Sequence, residues 1–190
     1  MFRSRSVGER VIKRQIEQFE FPYYEGFNEI KVRNTSDVLV DLDFMIDAAR
    51  NSAALDAHEN PHHTLSISDH MRATWTNIIV KGWNEDSPVA IAAKYHDIGK
   101  YFTKKFDKNG IAHYYNHQNV GAYYYLTSVK NSDFLDKHRD NNAKLIAFLI
   151  NTHMNHFIMD SKAYAKFRIR LNKECADALE TLERADENAH

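Results

Sequence analysis

The segment Ser87-Pro-Val-Ala-Ile-Ala-Ala-Lys-Tyr-His-Asp-Ile-Gly-Lys100 contains the start, the body and the end of one helix. Ser87 is a good N-cap, and Pro88 suits the first helical turn, where its missing N–H costs no hydrogen bond. The helix is predicted to end near residue 98, with Gly99 in the left-handed position that often follows a helix.

Apolar residues recur at helical spacing on both sides of this segment. Ile12, Ile16 and Phe19 predict a short helix over about residues 8–19, and the turn residues of 20–36 predict a loop. Ser36 is a candidate cap for the helix that follows. Further helices are predicted at about residues 38–49, 64–82 and 117–129, from Asn141 or Asn142 to 153, and from 161 to the end.

A turn signal, Asp107-Lys-Asn-Gly110, separates two short apolar runs. It allows one small hairpin, with strands within 101–106 and 111–115. Since every other pattern is helical, the sequence predicts an all-α fold, namely a helical bundle with an N-terminal helical extension over residues 1–59 that packs on the core.

Composition and charge limit the classes of function. The 190 residues suit one domain with an extension, and the net charge of -1 argues against an extended nucleic-acid surface. A small phosphorylated substrate is still compatible with this charge. Cys175 is the single cysteine, which favours a reducing, cytoplasmic location. No run approaches the roughly 18 apolar residues of a membrane span, so no membrane association is expected.

The histidines stand out, with 11 in the chain. His70 and His153 lie on apolar helix faces, His96-Asp97 ends the quoted helix, and Asp186 continues the apolar stripe of the last helix. One such residue alone is more often a satisfied core histidine or a solvated aspartate. These four positions together, on four separate helices, are harder to explain in this way, because burying an imidazole or a carboxylate costs free energy unless the group is paired or bound to metal. His117 adds a fifth, at the start of a helix.

The ordered segments Ser68-Asp-His70, Ala92-Ala-Lys-Tyr-His-Asp-Ile-Gly-Lys100, Tyr114-Tyr-Asn-His-Gln-Asn-Val-Gly-Ala122, Leu149-Ile-Asn-Thr-His-Met154 and Leu182-Glu-Arg-Ala-Asp186 carry a resemblance. Together they resemble the HD superfamily of metal-dependent phosphohydrolases, over roughly residues 60–190. The pattern is similar to HD domains related to those of tRNA nucleotidyltransferases and polynucleotide-kinase fusions. The resemblance implies that residues 60–190 form an HD-type metal-binding catalytic domain.

The resemblance also implies a ligand set for two divalent metals. Asp97 would bridge them, and the full set would be His70, His96, Asp97, His117, His153 and Asp186. Imidazole and carboxylate ligands suit Mn, Fe, Co, Ni or Zn better than Mg. Asp97, His96 and Lys100 would be the catalytic residues, with Lys100 also binding a phosphate oxygen. Further candidates for substrate binding are Lys104, His63 and Tyr115, whereas His58, His138 and His190 are expected to face solvent.

The expected function is hydrolysis of a phosphomonoester or phosphodiester of a nucleotide-like substrate, with a metal-bound hydroxide as the nucleophile at a dinuclear site. Two alternatives remain open. HD-fold di-iron oxygenases, such as inositol oxygenases, use a very similar ligand set, and a non-catalytic metal- or nucleotide-binding module is the third possibility. The oligomeric state is not predicted.

Overall fold

The computed structural model describes residues 8–21, 39–129 and 137–189, without the side chains of residues 137 and 138. These residues are mostly helical, and the sheet that they contain is one two-stranded hairpin. The predicted all-α class with a small hairpin is therefore confirmed. The predicted loop beyond residue 21, the Ser36 cap and His190 lie outside the described residues, as does the side chain of His138.

The helices and strands follow in chain order. The helices are α1 (Glu9–Glu17), α2 (Leu42–Arg50), α3 (Ala53–Asp56), α4 (Ile67–Ile79), α5 (Pro88–Tyr95), α6 (Lys100–Thr103), α7 (His117–Ser128), α8 (Lys137–Thr152), α9 (Asn155–Ile158), α10 (Ser161–Arg170) and α11 (Lys173–Glu187). The strands, β1 (Lys105–Phe106) and β2 (Ala112–His113), pair in antiparallel fashion, with Lys105 opposite His113. The hairpin is shorter than its sequence pattern because residues 101–103 belong to α6.

Helix caps explain most of these boundaries. Ser87 caps α5 by accepting a hydrogen bond from the backbone N–H of Ala90, with Pro88 as the first helical residue, as predicted. Ser66 caps α4, and Asp41 caps α2. Each side-chain oxygen satisfies a backbone N–H that has no partner within its helix.

Three boundary predictions are wrong. Residues 141 and 142 lie inside α8 and do not cap it. The last predicted helix is two helices, because Asn172 begins α11 by accepting a hydrogen bond from the backbone N–H of Cys175 at 2.8 Å. Gly99 has φ -66° and ψ -19°, which is right-handed backbone, so it is not a left-handed helix cap.

α5 lies at the centre of the bundle and packs against α4, α8 and α11, while α7 packs against α8. Phe148, Ile67 and Leu179 are among the fully buried side chains of this core. Burial of each such side chain contributes about 1.5–3 kcal/mol. This packing brings the C-terminal ends of α5, α8 and α11 close to α4 and to the start of α7.

The described part of residues 1–59 contacts this bundle. Asn151 in α8 accepts a hydrogen bond from the backbone N–H of Phe21 at 2.8 Å and donates one to the carbonyl of Phe19 at 3.2 Å. Asn119 in α7 donates to the carbonyl of Glu17 at 3.0 Å. The division of the chain at residue 59 stays a prediction. Among the described helices, none combines the length and the apolar character needed to cross a membrane.

Candidate metal centre

The six predicted ligand residues meet in one buried cluster. His70 lies within α4, His96 and Asp97 in the turn after α5, and His117 at the start of α7. His153 follows the end of α8, and Asp186 lies in the last turn of α11. Five of the six are buried, and the Asp186 side chain is 11% exposed. Within three overlapping groups of these residues, ligand atoms lie no more than 4.8 Å apart, so the cluster could hold a metal ion.

The Asp97 carboxylate is central to this cluster. Its Oδ1 atom lies 3.1 Å from Nε2 of His117 and 3.7 Å from Nε2 of His153. Its Oδ2 atom lies 3.4 Å from Nε2 of His96 and 3.6 Å from Nε2 of His70. Each carboxylate oxygen therefore faces one pair of imidazoles.

Asp186 adds a second carboxylate on the side of His70 and His96. Its Oδ1 atom lies 2.7 Å from Nε2 of His70 and 3.3 Å from Nε2 of His96. Two imidazoles and two carboxylates thus surround one small space. The other side of the Asp97 carboxylate faces His117 and His153, whose Nε2 atoms lie 3.4 Å apart.

Backbone carbonyl groups fix the orientation of all four imidazoles. The Nδ1 atom of each ring lies 2.8–3.0 Å from a carbonyl oxygen, which belongs to Ala189 for His70, Ala93 for His96, Tyr114 for His117 and Ile150 for His153. A carbonyl oxygen only accepts hydrogen bonds, so Nδ1 carries the hydrogen. In its neutral form, a ring held in this way directs the lone pair of Nε2 into the cluster, which is the arrangement typical of metal-binding histidines.

A cluster of lone pairs and carboxylates needs a cation. Although burial opposes its charged form, Asp97 and Asp186 raise the pKa of His96 to about 10. Burial likewise opposes ionisation of Asp97 and Asp186, yet nearby positive charge, on Lys100 and His96 for Asp97 and on His96 for Asp186, holds both pKa values well below the usual range. The Nε2 atom of His96 has no hydrogen-bond partner among the described residues. Without metal, a proton on this imidazole provides the positive charge.

Metal uptake should therefore release a proton. The pKa of His96 is raised to about 10 in the metal-free protein, so the ring is protonated at neutral pH and must lose that proton to offer Nε2 to a metal. Below about pH 10, the apparent affinity for Mn²⁺ should rise about tenfold per pH unit. Calorimetric titrations at one pH, in buffers of different ionisation enthalpy, measure the release.

A matched variant controls this measurement. His62 is an exposed imidazole, so the His62→Asn variant should release the same number of protons as the parent. A binding heat that does not depend on the buffer would show that no proton leaves, and the prediction would then be wrong.

The Lys100 side chain is buried at the edge of the cluster. Its Nζ atom lies 2.7 Å from Oδ2 of Asp97 and 3.2 Å from Nε2 of His58. His58 is 3% exposed, so the prediction that it faces solvent is wrong. No sequence pattern predicts this burial, because the segment between α3 and α4 has no helical periodicity. Burial, together with the nearby Lys100 charge, lowers the pKa of His58 to about 4 and that of His63 to about 3.

The other predicted substrate-binding residues lie in different settings. Lys104 donates to the carbonyls of Ala54 and Ala57 and pairs with Glu59, so its three N–H groups have acceptors within the protein. His63 stacks on His58 with ring centroids 4.0 Å apart, and lies 5.5 Å from the ring of His70. Tyr115 is 66% exposed and stacks on His113. Roles in substrate binding stay predictions for all three.

Two features lie outside the cluster. His156 pairs with Glu183 and Glu187, each at 3.3 Å.

A cavity of about 660 Å³ lies between α2, α4 and α5, and none of the six clustered residues lines it. Its charged groups include Lys94, which pairs with Asp43 at 2.8 Å.

No protein-family model, curated protein or solved structure matches this chain. Its function therefore has to be inferred from the described residues themselves. The feature among them that points to chemistry is the buried cluster of four histidines and two aspartates, which could hold metal.

Proposed function

We propose that this chain is an HD-type metal-dependent phosphohydrolase, acting as a phosphomonoesterase or phosphodiesterase on a nucleotide-like substrate. One observation carries the proposal. The buried Asp97 carboxylate has a pair of imidazole Nε2 atoms at each oxygen, and backbone carbonyls orient every ring. This is the arrangement that a carboxylate bridging two metals would require.

The donor set fits two divalent transition metals. His70, His96 and Asp186 would bind one metal with Oδ2 of Asp97, and His117 and His153 would bind the other with Oδ1. Nitrogen and oxygen donors together favour Mn, Fe, Co, Ni or Zn over Mg. Six side chains shared between two metals leave coordination positions for water and substrate.

The residues of this chain would have distinct tasks in hydrolysis. Bound metals would supply an activated water and neutralise the charge that develops on the phosphoryl oxygens. Asp97 would act as a ligand and not as a base, because both of its oxygens face imidazoles. Lys100 adds a fixed positive charge beside Asp97, suited to a phosphate oxygen. This ammonium is what favours a phosphoester over the substrate of an oxygenase.

Burial of the cluster supports a small substrate. Five of the six clustered residues are buried and the Asp186 side chain is 11% exposed, so a terminal phosphoryl group would fit this site better than the side of a duplex. The nearly balanced charge of the chain is in keeping with an enzyme that needs no extended nucleic-acid surface. The single cysteine, Cys175, is in keeping with a cytoplasmic location.

Metal analysis and a phosphoester panel test the proposal together. After anaerobic loading with Mn or Fe, we expect about two metal ions per chain. With Mn, Fe, Ni or Mg added back, we expect hydrolysis of p-nitrophenyl phosphate, bis-p-nitrophenyl phosphate or nucleoside phosphates. His117→Ala should lose one metal and most of the activity. His113→Ala is the matched control, because His113 pairs with Asp107 outside the cluster, and this variant should keep both metals and its activity.

Each alternative gives a different result in this experiment. One metal per chain would contradict the dinuclear site but not a mononuclear one. Fe-dependent oxygen consumption without phosphate release would indicate a di-iron oxygenase. A protein that binds no metal would be a non-catalytic module, and the proposal would be wrong.

A further inference from the structure

The Lys100 ammonium contacts two acceptors among the described residues. These are Oδ2 of Asp97 at 2.7 Å and Nε2 of His58 at 3.2 Å. Only 6% of the Lys100 side chain is exposed, so water cannot replace a lost acceptor freely. Because an ammonium group is tetrahedral, two fixed N–H directions also fix the third.

The His58 imidazole is held in the form that accepts. Its Nδ1 atom lies 2.6 Å from the carbonyl oxygen of Leu65, so Nδ1 carries the hydrogen and Nε2 keeps its lone pair. The ring is stacked on His63, with 11° between the ring planes. The hydroxyl of Tyr114 donates to the backbone carbonyl of His58. These contacts fix both the backbone and the ring of His58.

The segment around His58 is fastened to the helix that carries Lys100. Asp56, two residues earlier, accepts hydrogen bonds from the backbone N–H and hydroxyl of Ser68 in α4 and from the hydroxyl of Tyr101 in α6. Lys104, just after α6, donates to the carbonyls of Ala54 and Ala57. The acceptor and the lysine are therefore held at a set separation by contacts on both sides.

We propose that His58 is a positioning residue for Lys100: it accepts one hydrogen bond from the ammonium and holds it beside Asp97, with one N–H directed toward an oxygen of the phosphoryl substrate. The inference rests on the proposed function, which supplies that oxygen. It gives a role to a residue outside the segments on which the resemblance depends. Without this acceptor, the ammonium would keep one fixed contact and could rotate about it.

Two substitutions of His58 separate its two nitrogens. In His58→Asn the amide can replace Nδ1 as the donor to Leu65 but offers no acceptor at the position of Nε2. In His58→Gln the amide oxygen lies as many bonds from Cβ as Nε2 does, so it can still accept from Lys100. His62→Asn makes the same change in an exposed imidazole of the same segment.

The readouts are Mn content, the affinity of the Mn-loaded protein for inorganic phosphate, and KM and kcat for p-nitrophenyl phosphate. We expect His58→Asn to keep its Mn, to bind phosphate about tenfold more weakly and to raise KM more than it lowers kcat. The expected factor is that of one hydrogen bond to a charged group, whose loss weakens binding about tenfold. His58→Gln should recover most of the loss, and His62→Asn should match the parent. His58→Asn combined with Lys100→Met should bind phosphate no more weakly than Lys100→Met alone, since His58 acts through Lys100.

The outcomes keep this inference separate from the proposed function. If His58→Asn keeps its Mn and binds phosphate like the parent, or if its effect adds to that of Lys100→Met, the inference is wrong and the hydrolase proposal is unaffected. If the Mn-loaded parent neither binds phosphate nor hydrolyses an ester, the hydrolase proposal fails and the phosphate role of His58 fails with it. If His58→Asn does not fold, weakened phosphate binding by a folded His58→Gln overturns the inference, and parent-like binding supports it.

Discussion

On the proposed function, replacing Asp97 with asparagine should remove both metals and lower phosphoester hydrolysis by at least about a hundredfold. Removal of a group that only orients a metal ligand typically costs about 10- to 100-fold, and a ligand shared by two metals should cost more. Asparagine keeps the shape of the side chain but loses its charge. It also brings an amide N–H₂ group to the position of one carboxylate oxygen, where it faces two imidazole Nε2 atoms.

Metal content, hydrolysis and thermal unfolding of this variant are measured beside Asp69→Asn. Asp69 adjoins the proposed ligand His70 in sequence, but its carboxylate pairs with Arg72 on the surface, so this control should keep metals and activity. A folded Asp97→Asn protein that retains two metals would show that Asp97 is not the bridge. Loss of metals in both variants would point to a general effect of charge near α4.

Replacing Gly99 with alanine should lower the free energy of unfolding by about 3 kcal/mol or more, at the upper end for overpacking of a core. A Cβ atom on Gly99 would lie 2.0 Å from the carbonyl oxygen of His117 and 2.7 Å from the backbone nitrogen of Gly121. Both are backbone atoms, so no side chain can turn away to make room. The start of α7 would have to move, and His117 with it.

Gly121→Ala is the matched control on the other side of this contact. Its Cβ atom would lie 3.3 Å from Cγ2 of Ile150, a side-chain atom that can shift, and 3.4 Å from the backbone nitrogen of Gly99. The expected cost is about 1 kcal/mol. Urea unfolding of metal-free protein measures stability, and Mn content tests the displacement of His117. Equal stability of Gly99→Ala and the parent would contradict the close approach of α7 to Gly99.

The meeting of the clustered His and Asp side chains could be predicted from the sequence because of a general cost. An imidazole or carboxylate on an apolar helix face must find a partner, and the occurrence of His70, His153 and Asp186 together on such faces therefore indicated a shared site. The structure brings all three together with His96, Asp97 and His117. The settings of the substrate-binding candidates could not be predicted in this way, because Lys104, His63 and Tyr115 lie in segments without helical periodicity.

Gly99 shows where prediction from sequence fails. A glycine after a helix usually adopts left-handed backbone, and that is what the pattern predicts. The observed backbone is right-handed, and the reason for glycine is the carbonyl of His117. No neighbour in the sequence reveals this contact, because the two residues belong to different elements.

By itself, the sequence determined the all-α class, the Ser87 cap and the set of side chains for the cluster. These features depend on apolar spacing and on hydrogen bonds within a few residues, so the neighbouring sequence is enough to predict them. The tertiary structure alone decided that Asp97 faces an imidazole pair on each oxygen, that carbonyls hold the four rings, and that His58 contacts Lys100. His70 and Asp186 are 116 residues apart in sequence, and His58 and Lys100 are 42 apart. Such distances are set by how helices pack on one another, and not by the residues beside each group.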